Sequence, residues 1–222
     1  MANLKAALAV AVTVFCSACA TEQHRALETA QVRAAQTSFQ GQKAKVAIGK
    51  FDNRSSFMRG IFTDGIDRLG AQAKTILIGH LQESQRFAVM ERDNLEEARQ
   101  EAAYQGQAQR IKGAEFIITG AVAEFGRKET GDHQLFGLLG RGKKQLAYAK
   151  VTLNVVNAQT SEVIYTASGA GEYELSTREV VGFGGSAGYD ATLNGKVLDL
   201  AIREAVDKLA TGVESGSLRV AR

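Results

Sequence analysis

The chain has 222 residues, 45% hydrophobic and 23% charged, enough for one globular domain with a sizeable core and modest extensions. Its formal charge is only +3 and its basic residues are scattered, which excludes the concentrated basic face of a nucleic-acid-binding protein. The densest basic spot, Arg141-Gly142-Lys143-Lys144, is short and reads as a solvated loop tip, and with no proline the turns fall to Gly, Asn, Asp and Ser.

Lys5 precedes an apolar run from Ala6 to Phe15, too short for a permanent membrane helix but of the length of a signal-peptide core. Small residues Ser17 and Ala18 then stand before Cys19. That layout looks like a lipobox, with residues 1–18 removed and Cys19 carrying the lipid. An ordinary secretory signal cut near Ala18 or Ala20 is the alternative. Cys16 would leave with the signal, so no internal disulfide is expected. Ala20, rather than Asp, follows the cysteine, which favours an outer-membrane destination. Residues 19–44 then read as lipid anchor and tether, 45–215 as the folded domain and 216–222 as a tail.

The fold is expected to open with a strand from Lys45 to Phe51, alternating Val46 and Ile48, followed by a loop from Asp52 to about Asp64. Asp67 to Ser84 has a helical stripe of Leu69, Ala73, Ile76, Leu77 and Leu81. Arg86 to Glu91 is a second strand. Asp93 and Glu96 form a capping-box pattern before a helix bearing Leu95, Ala98 and Ala102 on one face. Ala114 to Phe125 is a third strand, and Gly126 to Lys144 is polar and Gly-punctuated. Gln145 to Asn157 and Glu162 to Gly169 make a hairpin about the 157–161 turn. A Gly-rich stretch leads to a strong helix from Lys196 to about Val213. The fold class is α+β: a mixed sheet covered on one face by helices, in the order β-α-β-α-β-β-β-α.

That order resembles the CsgG family of curli-secretion proteins, and specific strings carry the likeness: 46–52 (VAIGKFD), 86–92 (RFAVMER), 113–120 (GAEFIITG) and above all 151–163 (VTLNVVNAQTSEV). In the last, Ser161 stands where the family usually has Gly. The resemblance spans about Lys45 to Val213. It implies an outer-membrane lipoprotein that forms a homo-oligomeric ring, a nonamer being one candidate. Each subunit would give two β-hairpins to a shared barrel exporting unfolded curli-like fibre or adhesin subunits, with outer-membrane lipid and accessory secretion proteins as further partners. A shared barrel must close, because open strand edges cannot face lipid.

The corresponding hairpins are about residues 125–148 and 171–194. In the second, Val181, Phe183, Ala187 and Tyr189 alternate with small or polar residues, as in a barrel strand. The first offers Leu135, Phe136 and Leu138, together with Arg127, Lys128, Asp132, Arg141, Lys143 and Lys144. The family's constriction loop maps to Asn53, Phe57, Ile61, Phe62 and Asp64, whose phenylalanines either ring an extended polypeptide or pack against the domain. The alternative function is a non-channel periplasmic lipoprotein of the same fold, docking on an envelope or cell-wall complex.

No catalytic set is expected, nor a metal or other cofactor. Residues 137–143 imitate a phosphate-binding loop, but Lys144 stands where Ser or Thr should, and a strand follows where a helix is needed. His24, His80 and His133 lack metal-ligand spacing, and His80 reads as exposed or hydrogen-bonded.

Overall fold

A computed structural model of the protein describes residues 30–57, 67–133, 141–179 and 193–218, with backbone alone at 129–133, 141–144 and 175–179. Five strands and three helices follow the expected order: β1 (Ala44–Asn53), α1 (Arg68–Glu83), β2 (Phe87–Met90), α2 (Leu95–Tyr104), β3 (Phe116–His133), β4 (Arg141–Asn157), β5 (Val163–Glu179) and α3 (Leu193–Glu214). They form one mixed sheet in the order β2-β1-β3-β4-β5. β1 runs parallel to β2 and β3, and β3, β4 and β5 are successively antiparallel.

The core lies between the sheet and the two helices α1 and α3. Leu69, Ala73, Leu77 and Leu81 of α1 are buried, as the stripe requires. On α3, Val197, Leu198, Ala201, Ile202, Ala205, Val206 and Leu209 are fully buried. At roughly 1.5–3 kcal/mol for each large aliphatic side chain removed from water, these rows dominate the stabilisation of the helical layer. In β1 the register shifts between Ile48 and Phe51. The extra residue returns Phe51 to the core side, where its ring fills the space above Gly120.

Turn chemistry explains two residues that break the usual rules. Ser161 has φ of 61° and Gln85 has φ of 58°, both in the left-handed region. Ser161 closes the hairpin turn, where Asn157 Oδ1 accepts from the Gln159 and Thr160 amides at 2.8 and 3.2 Å. Glycine would hold that conformation without strain, which is why it is the more usual residue there.

Several expected boundaries move. β3 continues past Phe125 to His133, and β4 begins at Arg141 rather than Gln145. Arg141 to Lys144 is therefore paired strand, not a loop tip; pairing on both sides of β4 overrides the local glycine signal. β5 continues past Gly169 to Glu179, and α3 starts at Leu193, so residue 194 is helical and not the end of a hairpin. The capping box before α2 does not form. Asn94 is the N-cap and makes no side-chain cap bond, Asp93 pairs with Lys74, and Glu91 Oε1 takes the Arg92 and Asp93 amides. The Leu95, Ala98 and Ala102 face of α2 is not core either, since no α2 residue is buried; α1 and α3 alone occupy the helical layer among the described residues.

The chain joins the fold earlier than Lys45. A short 3-10 turn, Arg33–Gln36, lies against α3, and Val32 is fully buried. Arg86, itself only 1% exposed, holds this arm. Its Nη1 donates to the carbonyls of Ala34 (2.6 Å), Thr37 (3.0 Å) and Ser84 (2.8 Å). Its Nη2 donates to Thr37 Oγ1 and Glu214, its Nε also donates to Glu214, and the Phe39 ring lies 5.1 Å away. Asp207 on α3 takes Arg33 Nε and the Ala34 amide.

Candidate functional site

The most distinctive construction is the part of the sheet that runs on beyond the core. β3, β4 and β5 stay paired out to one row in which His133, Arg141 and Glu179 are partners. The eight residues of β3 from Gly126 to His133 extend about 27 Å at 3.4 Å per residue. The result is a three-stranded blade. Its root is set by close packing of β5 beneath α3. A Cβ on Gly169 would fall on the Ala201 carbonyl oxygen and 2.7 Å from the Ala205 amide nitrogen, and one on Gly171 would lie 2.8 Å from the Val197 carbonyl. At Gly126 the Tyr148 ring occupies the space a side chain would need.

The end of the blade brings two sequence segments together. The connection 134–140 leaves and re-enters in the row of His133 and Arg141, and the chain after Glu179 departs from that same row. Leu135, Phe136, Leu138, Val181, Phe183, Ala187 and Tyr189 follow from these points but lie outside the described residues. Along the blade itself charge falls in both alternating sets of positions. Arg127, Lys143 and Glu179 belong to one set and Lys128, Lys144, Glu174 and Arg178 to the other.

The loop after β1 has a built base. Asp67 Oδ1 accepts from the Gly70 amide at 2.8 Å, capping α1, while Oδ2 accepts from the Asn53 amide at 2.5 Å. One carboxylate thus joins the end of β1 to the start of α1 and closes the loop's two ends. Asn53 is a turn organiser, with Nδ2 donating to the Phe57 carbonyl (2.9 Å) and Oδ1 accepting from the Ser55 hydroxyl (2.6 Å). Phe57 packs on Phe125, ring centroids 4.6 Å apart. Ile61, Phe62 and Asp64 lie outside the described residues, as does Cys19.

His80 is buried, and both ring nitrogens face carboxylates: Nδ1 to Glu83 at 3.1 Å and Nε2 to Asp199 of α3 at 2.8 Å. Ionised carboxylates only accept, so both contacts are hydrogen bonds when the ring carries a proton on each nitrogen. Burial pulls its pKa down, but Asp199 and Glu83 outweigh it and hold the value above the ordinary 6.5. A raised folded-state pKa contributes stability that is fully present below about 6.5 and is lost as pH rises through the folded value. Urea midpoints taken from pH 6 upward should therefore fall in the wild type more steeply than in His80→Gln. Parallel pH profiles would show that the contacts of His80 with Glu83 and Asp199 contribute no pH-dependent stability.

Among the described residues no group of three or more His, Cys, Asp or Glu is placed to hold a metal ion. None of the described helices is long and apolar enough to cross a membrane, which leaves strands untouched. Lys143 and Lys144 lie in β4, so the phosphate-loop imitation has no helix N-terminus behind it. The sequence hides Arg86, because an arginine opening a short strand reads as solvent-facing; the carbonyls it satisfies come from a segment about 50 residues earlier.

The chain is 57% identical over 212 residues to "Putative lipoprotein NMB1126/NMB1164" of Neisseria meningitidis serogroup B, covering 96% of this chain and 95% of that one. Among solved structures, the PelC dodecamer of Paraburkholderia phytofirmans overlaps 74% of this chain and 87% of its own at 15% identity and a TM-score of 0.36. Lipoprotein GNA1162 of Neisseria meningitidis overlaps 78% and 99% at 11% identity and a TM-score of 0.32. Overlaps this loose carry nothing about activity. The family model described as curli production assembly/transport component CsgG matches residues 25–218, taking in the arm, the sheet, both core helices and the blade. The chain belongs to the CsgG family.

Proposed function

We propose that this protein is an outer-membrane lipoprotein, anchored through Cys19, that assembles with copies of itself into a passage for unfolded fibre or adhesin subunits. The observation that carries the reading is the blade. Three strands leave the core together, and the segments holding Leu135, Phe136 and Leu138 and, after Glu179, Val181 and Phe183 start from one end of it. Apolar sequence continuing from the end of a paired sheet is what subunits contributing to a common wall need, since every strand in lipid must find a neighbour. The family supports the reading, as does the lipoprotein relative. Residues 20–31 would give a leash of at most about 40 Å between lipid and the docked arm. Ile61, Phe62 and Asp64 would border the passage, on a loop whose base Asp67 closes and whose Asn53 and Phe57 are tied to the domain.

One observation favours a second reading. Charge in both alternating sets along the blade leaves neither set apolar, whereas a lipid-facing strand needs one apolar set. A blade of this kind suits water, as the stem of a lipoprotein that docks on an envelope or cell-wall complex.

Acylated protein in mild detergent and in lipid vesicles separates the two. The passage predicts one large discrete assembly and permeable vesicles, with permeability abolished by Phe183→Asp or Leu138→Asp. Particles of monomer mass together with sealed vesicles would reject it and leave the docking lipoprotein.

A further inference from the structure

The last four rows of the blade carry an excess of positive charge. Arg141, Lys143 and Lys144 of β4 meet Arg178 of β5 there, and the acidic residues in the same rows are Asp132 and Glu179. Arg178 lies far along the chain from the other three and joins them only through the pairing of β4 with β5. Nearer the body the balance changes. The next three rows set Arg127 and Lys128 against Glu129 and Glu174, and the three rows below those hold Glu124, Glu172 and Lys150. Net charge along the blade thus rises from −1 through 0 to +2 toward its end.

The excess encircles the blade. Successive residues alternate between the two faces of a sheet, and partners in one row share a face. Arg141 and Lys143 fall in one set with Glu179, while Lys144 and Arg178 fall in the other with Asp132. Each set therefore has two cations and one anion at the same level. A nucleic acid or an acidic protein docking on one face would be met by charge concentrated on that face. Equal charge in both sets fits a partner that surrounds the blade at one height. A planar layer of anionic groups, entered end-on, does this.

Two further features suit a bilayer. The chain runs on from the last row into residues 134–140 (QLFGLLG) and 180–189 (VVGFGGSAGY), and neither sequence contains a charged residue. Lys and Arg at the border of uncharged sequence are the pattern met at the edge of hydrocarbon, where the cations stay among the headgroups. The height also matches. The four rows span about 10 Å along the strand, or about 8 Å along the membrane normal for a tilt of about 40°. The polar layer on one side of a bilayer is about 5–8 Å thick.

We infer that Arg141, Lys143, Lys144 and Arg178 form a collar that binds the negatively charged headgroups of a phospholipid bilayer where the blade meets it. This rests on the reading above only in setting a membrane at the blade's end. The collar serves a passage whose wall lies beyond it, and it serves equally a stem that touches the membrane surface without crossing it. At this level charge in both sets carries no penalty, since headgroups and water solvate it.

Vesicle co-sedimentation of the mature chain, residues 19–222 with Cys19→Ser, tests it, because acyl chains would mask a weaker contact. At low salt it should partition onto vesicles of phosphatidylcholine with phosphatidylglycerol at least about tenfold more than onto phosphatidylcholine alone, since each cation near an anionic surface adds affinity. The preference should vanish near 1 M salt, where charges act over only about 3 Å. Arg141→Gln, Lys143→Gln, Lys144→Gln and Arg178→Gln together should remove it. Arg141→Lys, Lys143→Arg, Lys144→Arg and Arg178→Lys together keep the charge and should keep the preference. Lys50→Gln, Arg99→Gln, Arg110→Gln and Lys112→Gln, away from the blade, should keep it too, with thermal melts establishing that each variant folds. Equal binding to the two kinds of vesicle, binding untouched by the four collar substitutions to Gln, or loss in the variant altered away from the blade would each overturn the inference. Heparin bound as strongly as the vesicles would show a site for polyanions at large and overturn the lipid assignment. The mass and vesicle permeability of the acylated protein judge the passage separately, since the collar can hold headgroups whether or not a wall closes beyond it.

Discussion

Arg86→Met should lower stability by about 3–5 kcal/mol, because several buried acceptors lose their donor at once. The guanidinium is fully enclosed and serves three main-chain carbonyls, Thr37 Oγ1 and Glu214 at once. Methionine fills a similar volume but leaves Ala34, Thr37 and Ser84 carbonyls without their donor, each worth roughly 1–3 kcal/mol if kept dry. Glu214→Gln removes the counter-charge of this buried guanidinium but keeps an amide oxygen to accept from it, so it should cost less than Arg86→Met, about 1–3 kcal/mol. Arg86→Lys should fall between, because one ammonium cannot span the arm and α3 together. Urea unfolding of the three variants gives the order. Limited proteolysis should also cut Arg86→Met between Val32 and Phe39 first, since the arm loses its holder. Equal stability of Arg86→Met and Glu214→Gln would show that the arm is not held in this way.

The second large effect is expected at Gly169. Gly169→Ala sets a methyl group onto the Ala201 carbonyl and against the Ala205 amide, both backbone atoms of a helix that cannot turn aside as a side chain would. Relief requires α3 to lift off β5, opening the layer that holds Val197, Ala201 and Ala205. Overpacking of a well-filled core costs about 1–3 kcal/mol, and a backbone clash belongs at or above the top of that range. The fraction of soluble protein and the melting temperature should both fall sharply. Gly79→Ala is the control: it lies on the exposed side of α1 with nothing within 4 Å of the added carbon. Alanine there should raise stability by about 0.5–1 kcal/mol through helix propensity. If both substitutions were neutral, α3 would not be seated on β5 as described.

The repeat of apolar residues in α1 and α3 was readable in the sequence because helical burial leaves a three- and four-residue rhythm that needs no knowledge of the partner. The hairpin about Asn157 was readable for a similar reason, since its side chain bonds amides two and three residues on. Ser161, which stands where the family usually has glycine, takes the left-handed conformation. The element order followed from these pieces, and with it the family.

What the sequence could not show depends on distant neighbours. Residues 126–133 and 141–144 look polar and Gly-broken, and only the family resemblance put a hairpin there; they are strand because each finds a partner across the sheet. The helix at Leu95 shows the converse, having helical spacing but no surface to cover. Arg86 is buried because a segment near residue 34 brings carbonyls to it, and the His80 pKa is raised because the fold sets Asp199, 119 positions on, beside its ring. The Glu204–Lys208 pair reads as an ordinary helix salt bridge until Ser168 and Ala170 are seen beneath it. Periodicity and turn chemistry act over a few residues and are written in order along the chain. Pairing and burial of charge are set by groups that only folding brings together, and those decided the blade and the docked arm.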